Sequence, residues 1–150
     1  MDMTLFSEEL MDAFEEEKIG YVDYSDYDDD LELVDESFYI EVYVKNEQGI
    51  AFPIKVMHVG EDRNDLELRF VLRSQKENQK ELMDLCNYLM AHYIYLRWSI
   101  SEEGELDARY SMTLSEDEAE NVPRTIHHLN VFAQVLEEVY PMVQRTLWEG

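Results

Sequence analysis

Asp26, Asp28 and Asp30, spaced two apart, are the first residues of this chain whose type and spacing could do chemistry. An EF-hand loop sets oxygen ligands for calcium at its positions one, three and five, and these carboxylates meet that spacing. The other requirements fail. Position six, glycine for the sharp turn, is Leu31, and the closing bidentate glutamate is replaced by Ser37. A solvated acidic loop is therefore expected over 21–36, where tyrosines alternate with acids.

The four histidines are His58, His92, His127 and His128, with no second histidine or cysteine at a metal-site spacing of three or four. On one helix, adjacent His127 and His128 project about 100° apart and cannot by themselves converge on one ion. Cys86, the single cysteine, can close no intrachain disulfide. It falls on an apolar helical stripe, where a thiol behaves as a small hydrophobe and its thiolate is disfavoured. Gly-rich phosphate loops, nucleophile elbows and paired-cysteine motifs are absent from the sequence. No catalytic residue, metal ligand or cofactor is therefore assigned. The contrasting possibility is a small-molecule or metal-binding enzyme whose site is assembled from distant residues, which thermal-shift screening against metals and metabolites would reveal.

Charge narrows the partners. Twelve Lys and Arg stand against 35 Asp and Glu, a formal net charge of −23. Nucleic acids and anionic membrane surfaces are bound through cations, so both are poor partners, which leaves proteins or peptides, basic ones included. The first ten residues carry Asp2, Glu8 and Glu9 where a secretory signal needs positive charge and then an apolar run, and no apolar stretch approaches the roughly 20 residues that cross a bilayer. A cytoplasmic protein is expected. With 150 residues, 45% of them hydrophobic, the chain can bury one core without a staple, and no linker or repeat divides it.

Periodicity supplies the elements. Phe6, Leu10, Ala13 and Phe14 recur at helical spacing over 4–18, and Gly20 is expected to stop that helix. Phe38, Ile40, Val42 and Val44 alternate as one side of a strand, and Ile50, Phe52, Ile54, Val56 and His58 continue it as a hairpin. Pro53 points to an edge or irregular position there. Leu66, Leu68, Phe70 and Leu72 form a third strand. Ser74 and Glu77 make a capping box for a second helix with Leu82, Leu85, Cys86 and Leu89 on its buried stripe. Ile94, Leu96, Trp98 and Ile100 are the inward set of a fourth strand, and Leu106, Ala108, Tyr110, Met112 and Leu114 that of a fifth. A last helix over 122–148 carries two apolar flanks and Pro141, which is expected to kink it. That wide surface is expected to be core, with a homodimer interface as the minority reading.

The sum is an α+β domain over residues 1–150, a five-stranded antiparallel sheet with three helices in the order α-β-β-β-α-β-β-α. This order, with the aromatic segment Tyr95 to Trp98 and a closing helix that ends in Tyr140, Pro141, Leu147 and Trp148, resembles the YbjN-like family. That family shares the fold of type III secretion chaperones. The resemblance implies an interaction protein: YbjN-like proteins are described as bacterial sensory transduction regulators, and secretion chaperones are small acidic homodimers that bind partner polypeptides. It carries over no catalytic residues. Tyr39, Tyr43, Met57, Val71, Tyr93 and Tyr95 interrupt the charges on the outward side of the expected sheet, and tyrosine and methionine are enriched where proteins meet. These six are the candidate partner-binding residues of a non-enzymatic, chaperone-like or regulatory module.

Overall fold

The computed structural model describes residues 3–24, 38–45, 49–58, 65–73 and 79–148. In chain order the elements are α1 (Met3–Glu16), β1 (Gly20–Asp23), β2 (Tyr39–Lys45), β3 (Ala51–His58), β4 (Asp65–Arg73), α2 (Gln79–His92), β5 (Arg97–Ile100), β6 (Glu105–Thr113) and α3 (Glu118–Trp148). All strand pairs are antiparallel, and the sheet order is β1-β2-β3-β4-β6-β5. The sheet thus has six strands, not the five expected.

The added strand is β1, inside the segment read as an acidic loop. Its position follows from how α1 ends. Lys18 adopts φ 59°, the Lys18 amide donates to the Glu15 carbonyl at 3.2 Å, and the Ile19 amide donates to the Phe14 carbonyl at 2.8 Å. This pair of bonds is a Schellman cap, so the helix stops at a left-handed lysine before it reaches Gly20. The chain then reverses, and four residues pair with β2 ahead of the crowded aspartates. Tyr21 turns inward against Phe14, ring centroids 5.7 Å apart, and its hydroxyl donates to Glu15 at 2.8 Å.

Strand alternation sorts the sheet into two sides. Ile40, Val42, Val44, Phe52, Ile54, Val56, Leu66, Leu68, Phe70, Trp98, Leu106, Ala108 and Met112 are buried and join one core with Phe6, Leu10 and Phe14 of α1, Leu82, Leu85 and Leu89 of α2, and Leu129, Phe132, Leu136, Val139 and Val143 of α3. Both apolar flanks of α3 are spent on that core. The described part of α2 confirms the expected stripe, and the proposed capping box at Ser74 and Glu77 lies outside the described residues, as do Asp26, Asp28 and Asp30.

Three details depart from expectation or refine it. β3 is an interior strand, but its pairing with β4 ends at Lys55↔Arg69, so Pro53 has a neighbour strand only on the Tyr43 side. A missing ladder donor is tolerated at such a place. Ile94 is 88% exposed, because residues 94–95 form a turn and β5 begins only at Arg97. α3 starts earlier than expected, at Glu118, where the Asp117 carboxylate accepts from the Ala119 amide at 3.3 Å as an N-cap. The helix continues through Pro123 and Pro141. Among the described residues, no helix is long and apolar enough to cross a membrane.

Candidate partner-binding face

The side of the sheet away from the helices is built by the opposite alternation set. Cross-strand partners in an antiparallel sheet point to the same side, so the registers define rows of side chains. One row runs Tyr39, Met57, Glu67, Ser111. The next runs Val22, Glu41, Lys55, Arg69, Arg109, Arg97 across all six strands. Beyond it, Tyr43 lies opposite Pro53, and Val71 lies opposite Asp107. Tyr39, Tyr43, Met57 and Val71 are half-buried, and none of them belongs to the core cluster. These four candidate residues therefore flank a central charged row on one face.

Tyr39 packs against Tyr24 with ring centroids 5.5 Å apart, and the Lys55 ammonium sits 5.9 Å from its ring centroid. The Tyr43 hydroxyl donates to Glu41 at 2.7 Å, and that bond to a carboxylate pushes the phenol up to about 12. Both rings thus have charged neighbours on this side of the sheet.

Tyr93 and Tyr95 do not join this face. They precede β5, in the connection from α2, and pack against the core on the helix side. Tyr95 stacks on inward-facing Tyr110 at 4.5 Å, and its hydroxyl lies 2.5 Å from His128 Nδ1 of α3. Tyr110 in turn lies 4.6 Å from the His128 ring. Burial lifts the Tyr95 phenol, and burial together with nearby His127 and Arg124 lowers the His128 imidazole. The stacked rings clamp the connection to α3. The two tyrosines leave the alternation of β5 because residues 94–95 turn and the strand starts only at Arg97.

Sequence reasoning missed the centre of the face. Asp107 is buried, and its Oδ2 accepts from Arg69 Nε at 2.8 Å and Nη2 at 2.6 Å, and from Arg109 Nη2 at 2.9 Å. Its Oδ1 has no hydrogen-bond partner among the described residues. Glu67 stands 3.5 Å from the other Arg109 nitrogen. Asp107 holds the Arg109 guanidinium even more firmly charged than usual. At the β5 end, an open depression of about 490 Å³ brings Glu67, Arg97, Arg109 and Ser111 together with Ile94, Tyr95 and Tyr110, so Tyr95 borders the face without being one of its strand residues. Among the described residues, no three His, Cys, Asp or Glu side chains are grouped so as to hold a metal ion. Cys86 is buried, and that burial pushes its thiol up to about 11.

No family model matches the chain, and no curated protein matches it. Among solved structures, the chain is similar to a chain of the HopA1–SchA chaperone–effector complex, with a TM-score of 0.50 and 17% identity over 94% of this chain and 96% of that one. That likeness extends over the whole architecture and establishes a fold shared with a member of a chaperone–effector assembly.

Proposed function

We propose that this chain is a non-enzymatic, chaperone-like module that binds a partner polypeptide across the outer face of its sheet. The observation that carries this reading is the one-sided architecture. All three helices contribute to the core on one side, while Tyr39, Tyr43, Met57 and Val71 stand outside it around a row of charges. Tyrosine, methionine and arginine side chains stand among the charges of that side, and these residue types are enriched where proteins meet. The shared fold with a chain of a chaperone–effector complex supports the same class of role. Replacing Tyr39 and Val71 together with serine should leave the thermal midpoint within about 3 °C, since surface changes outside the core rarely exceed about 0.5 kcal/mol each. The same variant should lower recovery of a co-purifying partner at least roughly tenfold, measured by quantitative mass spectrometry. Undiminished recovery overturns the reading.

A homodimer is the second reading, favoured by α2, where Met83 and Met90 are exposed on one side of the helix, continued by Ile94. Light scattering at moderate salt should then give twice the 17.9 kDa chain mass, and a mass equal to one chain contradicts it. Basic partners, left open by the net charge, would meet the acidic helical side rather than the sheet.

A further inference from the structure

The outer sheet face is the most cationic surface among the described residues. Lys45, Lys55, Arg69, Arg73, Arg97 and Arg109 lie on it, and the described strand acids beside them are Glu41, Asp65, Glu67, Glu105 and Asp107. Four of these cations, Lys55, Arg69, Arg109 and Arg97, are successive cross-strand partners in a single row. Like charges placed directly opposite destabilise a sheet. In a chain with so few cations, that alignment calls for a counter-charge.

The protein supplies half of it. Asp107 and Glu67 neutralise the two central arginines. The ends of the row are less fully matched: Arg97 is exposed and has no carboxylate partner among the described residues, and Lys55, across from Glu41, closes no ion pair among the described residues and sits by the Tyr39 ring. Three inter-strand spacings separate these ends, about 14 Å. In an extended polypeptide, side chains on one side recur about every 6.7 Å, so residues i and i+4 are about 13 Å apart. The middle residue, i+2, would then lie between Arg69 and Arg109, whose charges Asp107 and Glu67 already match, so a third carboxylate has no cation left to meet there. Past Arg97, the exposed side chains of Met90 and Ile94 at the rim of the depression offer an apolar contact.

We propose that the Lys55–Arg69–Arg109–Arg97 row is a docking site for an extended acidic segment of a partner polypeptide, with carboxylates four residues apart, a neutral residue midway and an apolar residue beyond. The proposal rests on the outer-face reading above and specifies the chemistry of what is bound. It replaces, for this face alone, the basic partner left open by the net charge of −23.

The test uses the full chain and a ten-residue fluorescent peptide that carries two glutamates four apart, a leucine two residues past the second, and serine or threonine elsewhere. Anisotropy should show saturable binding. The Lys55→Glu, Arg97→Glu double variant should weaken it roughly tenfold or more, because both ends become repulsive. Its thermal midpoint should not fall, since neither residue joins the Asp107 network. A glutamine version of the peptide should bind at least roughly tenfold more weakly. Equal binding of the glutamine peptide, or undiminished binding by the double variant, overturns the acidic specificity. Competition by inorganic phosphate or an oligonucleotide as effective as the glutamate peptide overturns a polypeptide occupant, and a dimer mass in light scattering that the double variant loses assigns the site to a second copy instead. A natural partner that requires Tyr39 and Val71 but is indifferent to Lys55 and Arg97 refutes this inference and leaves the outer-face function standing.

Discussion

Replacing Phe132 with alanine should lower the unfolding free energy by about 3–5 kcal/mol, the cost of removing a large buried side chain and leaving the space unfilled. Phe132 is fully buried near the middle of α3, on the flank of the helix that one sheet side alone would not need to cover. It is covered because α1 and α2 also pack on this side, and α3 fills the space among helices and sheet together. For a chain of this length the midpoint of thermal unfolding should fall by roughly 10 °C. Gln134, two residues on and exposed, is the matched control, and its alanine variant should stay within about 0.5 kcal/mol of the parent. Equal effects at the two positions would mean that the second flank of α3 faces solvent or another chain.

The second large effect belongs to the network under the outer face. Arg69→Met with Arg109→Met leaves the Asp107 carboxylate, at 4% exposure, without either counter-charge. Breaking a buried pair from one side costs about 3 kcal/mol or more, because the remaining charge can neither be solvated nor neutralised locally. Adding Asp107→Leu removes that orphan, and replacement of a buried ion pair by apolar groups is often near neutral. The triple variant should therefore recover to within about 1 kcal/mol of the parent in urea unfolding. A double variant as stable as the parent would show that water already reaches Asp107. A triple variant as unstable as the double would show that the cost lay in packing rather than charge.

These two sites differ in how far they could be read from residues alone. The burial of Phe132 was half legible: its spacing marks an apolar flank, but an apolar flank is equally a core or an interface until the neighbouring helices are placed. The alternation of β2, β3 and β4 was fully legible, because a period of two sorts residues onto two sides without knowledge of the partner strand. The charged row was not. Arg69 and Asp107 are 38 residues apart, and alternation says which side each occupies but not which residue stands opposite. That depends on the register of β4 against β6, fixed by how Leu66, Phe70, Leu106 and Met112 fit under the helices.

The two misplaced tyrosines and the missed strand have the same origin. Alternation around Trp98 extends smoothly back through Leu96 and Ile94, but the end of α2 must be joined to β5, and that connection takes residues 93–96 out of the sheet. Tyr95 then finds Tyr110 and His128. At β1, the acids of 23–36 outweighed four residues whose pairing is set by the reversal after Lys18. Local composition is a poor guide where a tertiary turn decides the backbone.

The outer face as the place where a polypeptide is held is tested most directly by site-specific photocrosslinking in the source cells. A photoreactive phenylalanine analogue at Met57 or Val71 should give a discrete covalent adduct with a second polypeptide, and the same analogue at Asn130 or Gln134, exposed on α3, should give none. Adducts formed only from the α3 positions would contradict the one-sided reading of this fold.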